Sequence, residues 1–414
     1  MRKLKLQIHL YMALFILLGT VPSAHADTFD EYVERLSQHP QIQSILAQSD
    51  ALNAQAAGEL GLPDPVLSIG VDNVPISDPA FDEFLPTSKI IGLNQKIPNP
   101  VLLNAKSERF EQMSKKSLLM ADYMKARMRF MLTSQLAAYK SVKKQKELIK
   151  RQLDFYSELE KTFEGQIESG GSQYQRFSEI DVERAEAERK LNDLDARILA
   201  IKAEFVRLVE EVPDVDLPKT IDAKWDNNPG SLYPVMLASE DIEIAQKDIG
   251  IADAAFLPNF GVNAVYKQRE DGRNNRFDGD DWFSLQAQIT IPLWASKNQK
   301  PKLEAAQAKE RSAKFSYDEI LRQWTSQMMM LKSARDAAAK NITVLQDKDW
   351  AMKKKIDAAQ RNYEAGTENL DSVLLAKIDR LNIQGQLSIV KEMHISKSAE
   401  FNSHIIGAYQ ENSK

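Results

Sequence analysis

Five methionines, Met113, Met120, Met124, Met128 and Met131, recur at spacings of 7, 4, 4 and 3 residues, and Met328 to Met330 form a second group. Thioethers at helical spacing can bind soft copper or silver ions. The same spacing also suits a flexible filler stripe between packed helices, and packing is the better-supported reading. His394 and His404 are ten residues apart, which does not place them on one helix face. Glu270-Asp271-Gly272 through Asp278-Gly279-Asp280-Asp281 offers oxygen ligands without the ordered spacing of a calcium loop, so a solvated loop is expected. Lys143-Lys144-Gln145-Lys146 and Lys353-Lys354-Lys355 read as solvated helix faces. No zinc-protease, nucleophile-elbow or phosphate-loop motif occurs. Neither an enzyme, nor a metal site, nor a cofactor is expected.

The chain has 414 residues, 54 Lys and Arg, 59 Asp and Glu, and no cysteine. Thiol catalysis, disulfides and thiolate metal sites are therefore excluded. A net charge of −5 provides no footprint for nucleic acid. The first residues have the plan of an export signal: basic Arg2, Lys3 and Lys5, an apolar run from Leu10 to Leu18, and Ala24-His25-Ala26 as a small-x-small cleavage site. Cleavage between Ala26 and Asp27 removes residues 1–26 and leaves a mature chain of net charge −8. No later stretch is apolar enough for a transmembrane helix.

The sequence repeats once, at an offset near 195 residues. Leu62-Pro63-Asp64 returns as Leu257-Pro258-Asn259, Lys96-Ile97-Pro98 as Thr290-Ile291-Pro292, Ser169-Gly170 as Ala365-Gly366, and Val182-Glu183-Arg184 as Ile378-Asp379-Arg380. Four matches in one order indicate a duplication. The first repeat spans 27–211 and the second 231–414, joined by a linker over 212–230 that is rich in Pro and Asn. Each repeat is expected to open with a helix, Phe29 to Leu60 or Ser231 to Phe256, halted by the Leu-Pro pair. Period-2 alternation predicts strands at about 65–74 and 88–97, then about 259–268 and 282–291, with apolar residues on one face and Gly, Ser, Asn, Gln or Lys on the other. Residues 101–164 and 302–365 contain neither Gly nor Pro. Each predicts a helix of about 96 Å at 1.5 Å per residue. The second carries a 3-4 apolar spacing from Leu321 to Tyr363, the pattern of coiled-coil packing. Return helices are expected over 172–211 and 368–410. The fold class is mainly α with a small β part.

Four strands cannot close a barrel, and an open edge in lipid strands its backbone polar groups. If these strands lie in a membrane, several chains must pool them. The order of elements, with Leu62-Pro63-Asp64-Pro65, Gly92-Leu93-Asn94-Gln95-Lys96-Ile97-Pro98 and Tyr363-Glu364-Ala365-Gly366-Thr367, resembles the TolC family of outer-membrane efflux ducts over essentially the whole mature chain. Phe81 and Asp72-Asn73-Val74-Pro75 are similar to its heavy-metal, CzcC-like branch. The resemblance implies a homotrimer with a twelve-stranded barrel in the outer membrane and an α-helical barrel in the periplasm. It also implies a periplasmic adaptor, an inner-membrane pump, and a cargo of heavy-metal cations or drugs. The turns Gly170, Gly171, Ser172, Gln173 and Gly366, Thr367, Glu368, Asn369 would form the adaptor-docking tip and aperture. Three departures stand out. Asp27 replaces the lipidated cysteine of many relatives. Ser172 and Glu368 stand where a basic residue is common, and Asp371 sits out of register with the gate aspartates, which fall at Ser372 and Leu375. A soluble periplasmic coiled-coil scaffold is the alternative.

Overall fold

The structure, a computed structural model, describes residues 28–169 and 174–409. The cleavage site at Ala26 and Asp27 and the turn Gly170 to Gln173 lie outside the described residues. The elements run α1 (Phe29–Ser37), α2 (Pro40–Glu59), β1 (Val66–Asp72), β2 (Ser88–Ile97), α3 (Pro100–Glu168) and α4 (Tyr174–Val209). Then follow α5 (Tyr233–Ala254), β3 (Asn259–Gln268), β4 (Trp282–Thr290), α6 (Gln299–Glu364) and α7 (Leu370–Ser403).

The opening helix, expected to be continuous from Phe29 to Leu60, is two helices. Pro40 lacks the N–H a continuing helix needs and pushes His39 out of the helical region, to φ −58°, ψ 135°. Thr28 closes α1 with a capping box: its Oγ1 accepts from the Glu31 amide at 3.3 Å, and its own amide donates to Glu31 Oε2 at 2.8 Å. His39 Nδ1 then caps α2 by accepting from the Gln41 amide at 3.2 Å. The long helices overrun their expected ends. Helix α3 passes through Gly165 to Glu168, because one glycine costs only about 1 kcal/mol in a helix interior. Helix α6 starts at Gln299 with Pro301 in its first turn, where a missing N–H has no intrahelical partner to lose. With 69 and 66 residues, they are about 104 and 99 Å long at about 1.5 Å per residue.

The helices form one layer. Helices α2 and α4 occupy one flank of α3, α5 and α7 occupy the other, and α6 lies beyond α5 and α7. Helix α2 meets the strand-proximal half of α3, where Ser49 and Ser114 hydroxyls are 2.7 Å apart. Helix α4 meets the distal half, where Arg184 bonds Glu160 at 2.6 Å. Between the two, Phe29, Tyr32, Leu36 and Ile42 pack with Met128, Leu132, Leu136 and Phe205 in the largest buried cluster. The segment 212–230, expected as a plain linker, is strapped across the layer. Asn402 Nδ2 donates to Ile221 O at 2.6 Å, Ser398 Oγ to Asp222 at 2.7 Å, and Arg335 Nη1 to Ala223 O at 3.1 Å. Trp225 is buried beside Phe401 and Met328. A composition rich in proline and asparagine marks irregular backbone, not loose backbone.

The four strands make one antiparallel sheet in the order β1-β2-β3-β4. Asn99 fastens it to the helices. Its Oδ1 caps α3 by accepting from the Leu102 amide at 2.7 Å, and its Nδ2 donates to Ala254 O at 3.2 Å. Its amide donates to Asn259 Oδ1, at the start of β3, at 3.0 Å.

Candidate functional site

Antiparallel partners share a face, so the register sorts every strand residue. One face holds the rows Leu67–Leu93–Ala264–Leu285, Ile69–Ile91–Tyr266–Phe283 and Ile97–Phe260–Ile289. Only Lys89, Gln95 and Gln268 interrupt it. The other holds Val66–Asn94–Asn263–Gln286, Ser68–Gly92–Val265–Ser284 and Lys96–Gly261–Gln288. Burial is inverted relative to a soluble sheet. On the apolar face Ile69 is 78% exposed and Leu285 and Phe283 are each 69% exposed. Among the described residues no helix covers this face, and both edges, β1 and β4, are unpaired in the chain. A contiguous exposed apolar band marks an interaction surface or a membrane surface. The strands span 7 to 10 residues, close to the 9–11 needed to cross a bilayer at a tilt of about 45°. Exposed aromatic residues flank the band at both ends. Tyr266 and Phe283 lie on the apolar face toward the hairpin loops, and Phe260 lies on it toward the helices, with Trp294 exposed just beyond β4. Such girdles mark membrane–water interfaces.

Beyond the strands the two hairpin loops lock together. Arg273 bridges Asp82 at 2.8 Å and Glu83 at 2.7 Å, and Lys89 bonds Glu270 at 2.8 Å. Asp271 Oδ1 accepts from the Gly279 amide at 2.8 Å. Glu270, Asp271 and Asp281 of this acidic loop are thus held by internal contacts. Among the described residues no group of His, Asp and Glu is arranged to hold a metal ion.

The methionines divide. Met128 is fully buried in the core, with Met124 and Met131 packed against it. Met113 Sδ accepts from Arg109 Nη1 at 3.3 Å, and with Met120 it lines an open groove of about 380 Å³. The two histidines stay apart. His394 faces Asp222 at 3.8 Å. His404 is buried against Trp324, with Nδ1 2.9 Å from the Tyr123 hydroxyl and Nε2 3.3 Å from Arg127 Nη1. Burial and then the Arg127 charge push its pKa down to about 3.

At the end of the helices farthest from the sheet, Gly366 has φ +70°. Its amide donates to Tyr363 O at 3.0 Å and the Thr367 amide to Asn362 O at 2.9 Å, which together are a Schellman cap. Asn362 Nδ2 reaches Glu368 Oε2 at 3.3 Å, and Asn369 starts α7 without a side-chain cap bond. One contact here was not legible in the sequence. Arg176 on α4 donates to Asp371 Oδ2 on α7 at 3.1 Å, and Asp371 Oδ1 is buried with no hydrogen-bond partner. The only available signal was their matched position in the two repeats.

The described helices include none long and apolar enough to cross a membrane. The flanks of the helical layer are unequal. Helix α3 is covered on both sides, whereas α6 leaves Phe315, Met329, Met330, Val344 and Trp350 exposed, and α4 leaves Val182, Leu199 and Val206 exposed.

Comparison with known proteins agrees with this geometry. Residues 235–392 match the family model described as outer membrane efflux protein. Searching the curated proteins returns no match. Among solved structures the chain is similar to CusC, described for conformational changes accompanying folding and transmembrane channel formation, at TM-score 0.73 and 12% identity over 91% of each chain. It is also similar to the outer membrane protein VceC of Vibrio cholerae, at TM-score 0.67 and 16% identity over 90% of this chain and 96% of that one. The open state of the MtrE outer membrane channel of Neisseria gonorrhoeae gives TM-score 0.72 and 14% identity over 90% of this chain and 87% of that one. The heavy-metal branch is not singled out by these matches. The second repeat thus carries the signature of the outer membrane efflux protein family, and the chain as a whole has the TolC-like channel fold.

Proposed function

We propose that the protein is the outer-membrane exit duct of a tripartite efflux system, acting as a homotrimer that conducts cargo passively. The observation that carries this reading is the exposed apolar face running across all four strands, bounded by two unpaired edges. In lipid that face is solvated by acyl chains, and the edges must pair with other copies. Two copies would give eight strands, a barrel filled by its own side chains. Three give twelve strands and leave a lumen lined by the Ser, Asn and Gln rows. The helical layers would then close into a tube about 100 Å long, with the exposed flank of α6 against α2 and α4 of the next copy.

In this reading the signal peptide ends at Ala26 and export delivers the chain to the outer membrane. Gly170, Gly171, Ser172, Gln173 and Gly366, Thr367, Glu368, Asn369 form the periplasmic tip that a membrane-fusion adaptor grips, with the inner-membrane pump behind it. The pump supplies the work and selects the cargo, metal cation or drug, so the duct needs no catalytic residue. A soluble scaffold would leave Ile69, Phe283 and Leu285 in water, which the observed exposure disfavours. The test is fractionation with mild SDS electrophoresis. Heat-labile trimers in the outer-membrane fraction are expected, and a stable monomer in the soluble periplasm would overturn the reading.

A further inference from the structure

The repeat carries more than ancestry, because it fixes how neighbouring copies pair. In the first hairpin the pairs run from Val66–Asn94 to Asp72–Ser88, and in the second from Gly261–Gln288 to Lys267–Trp282. Moving β1 forward by 195 residues and β2 by 194 converts each of the seven pairs of the first hairpin into a pair of the second. The same offsets superpose Leu62-Pro63 on Leu257-Pro258 and Ile97-Pro98 on Ile291-Pro292. The two hairpins are therefore structurally equivalent residue by residue.

The junction between them, β2 with β3, is present in the chain: Asn94 faces Asn263, Leu93 faces Ala264 and Gly92 faces Val265. The junction between copies, β4 with β1, is its equivalent. From this we infer that β4 pairs antiparallel with β1 of the next copy with Gln288 opposite Ser68, Ala287 opposite Ile69 and Gln286 opposite Gly70. The inference rests on the ring of copies proposed above and specifies its seam.

Two independent observations agree with it. First, it keeps the faces. Leu285 meets Val71, Ala287 meets Ile69 and Ile289 meets Leu67, so the apolar rows continue around the ring, whereas a slip of one residue would turn β1 inside out. Second, it gives a closable barrel. Following pairs from Val66 through Asn94, Asn263 and Gln286 arrives at Gly70 of the next copy, an advance of four residues over four strands. One residue of shear per strand corresponds to a strand tilt of about 36°, inside the usual 35–45°. A slip of two residues one way, with Gln288 opposite Val66, would flatten the tilt to about 19°. A slip of two the other way, with Gln288 opposite Gly70, would break the equivalence with the β2–β3 junction.

Cysteine pairs test the seam in a chain that has no native cysteine. Within one copy Ser68 and Gln288 lie three strand spacings apart, about 14 Å, too far for a disulfide. Any bond between cysteines at these two positions must join two copies. Full-length chain carrying Ser68→Cys with Gln288→Cys is oxidised in outer membranes and run on denaturing non-reducing gels. Val66→Cys with Gln288→Cys and Gly70→Cys with Gln288→Cys report the two slips. Each double variant is also run in mild SDS to record non-covalent trimers. The expected result is covalent multimers from the Ser68→Cys, Gln288→Cys variant, forming at least about tenfold faster than from either slipped pair, as directly opposed residues lie about 5 Å apart and diagonal ones 7–8 Å. Faster linkage of a slipped pair, or intact non-covalent trimers with no linkage from any pair, overturns the register while the trimer stands. Absence of any trimer in mild SDS would instead overturn the proposed function.

Discussion

Leu285 tests the facing of the sheet. It lies at the middle of β4, ends the row Leu67–Leu93–Ala264–Leu285 and is 69% exposed. Gln286, the next residue, points to the opposite face beside Asn263. An arginine on the lipid face of a barrel costs about 2–4 kcal/mol at the bilayer midplane and about 0–1 near the interfaces. A trimer carries the lesion three times, so Leu285→Arg is expected to destabilise the inserted assembly by about 6–12 kcal/mol. Gln286→Arg places the same charge in a wet lumen, with a cost within about 0.5 kcal/mol per site. The assay is the yield of heat-labile trimer in washed outer membranes, at matched expression. Leu285→Arg should abolish the trimer band and Gln286→Arg should leave it near wild-type. Equal loss from both, or loss from Gln286→Arg alone, would refute the facing.

Gly366→Val forces a β-branched residue into φ +70°, at a cost above the roughly 1–2 kcal/mol of an ordinary left-handed residue. Trimers and insertion should survive, while drug or metal tolerance and adaptor crosslinking are lost; normal tolerance would remove the turn from docking. Arg176→Ala leaves the buried Asp371 carboxylate without its cation, so single-channel conductance in planar bilayers should rise through a loosened tip, with Asp371→Asn partly restoring the closed level. An unchanged conductance would assign that ion pair to packing alone. His404 is held neutral, its folded pKa lowered to about 3 from an ordinary value near 6.5. Its contribution is complete above the unfolded pKa and lost as pH falls from about 6.5 toward about 3, at up to 1.4 kcal/mol per pH unit. The helical melting temperature of wild-type should therefore fall over that window more steeply than that of His404→Phe, and parallel profiles would contradict the assignment.

Much of the architecture is legible in the sequence because it rests on local rules. Alternation from Phe260 to Gln268 and from Phe283 to Ile291 is a one-dimensional record of a two-faced sheet, and the absence of Gly and Pro from 101–164 permits a helix of that length. What was missed is what local rules do not encode. Pro40 breaks a pattern that otherwise reads as one helix, whereas Gly165, whose penalty of about 1 kcal/mol packing overrides, does not end the helix it sits in. The strap of 212–230 over α6 and α7 depends on Asn402, Ser398 and Arg335, all more than a hundred residues away. Arg176 and Asp371 meet because both return helices, α4 and α7, pack against α3.

That several copies of this chain share one barrel in the outer membrane is tested most directly by native mass spectrometry of the protein extracted from outer membranes in detergent. The expected result is one dominant species of three mature chains, each beginning at Asp27, that falls to single chains on heating. A single mature chain recovered from the soluble periplasmic fraction, with none in the outer membrane, would contradict the shared barrel.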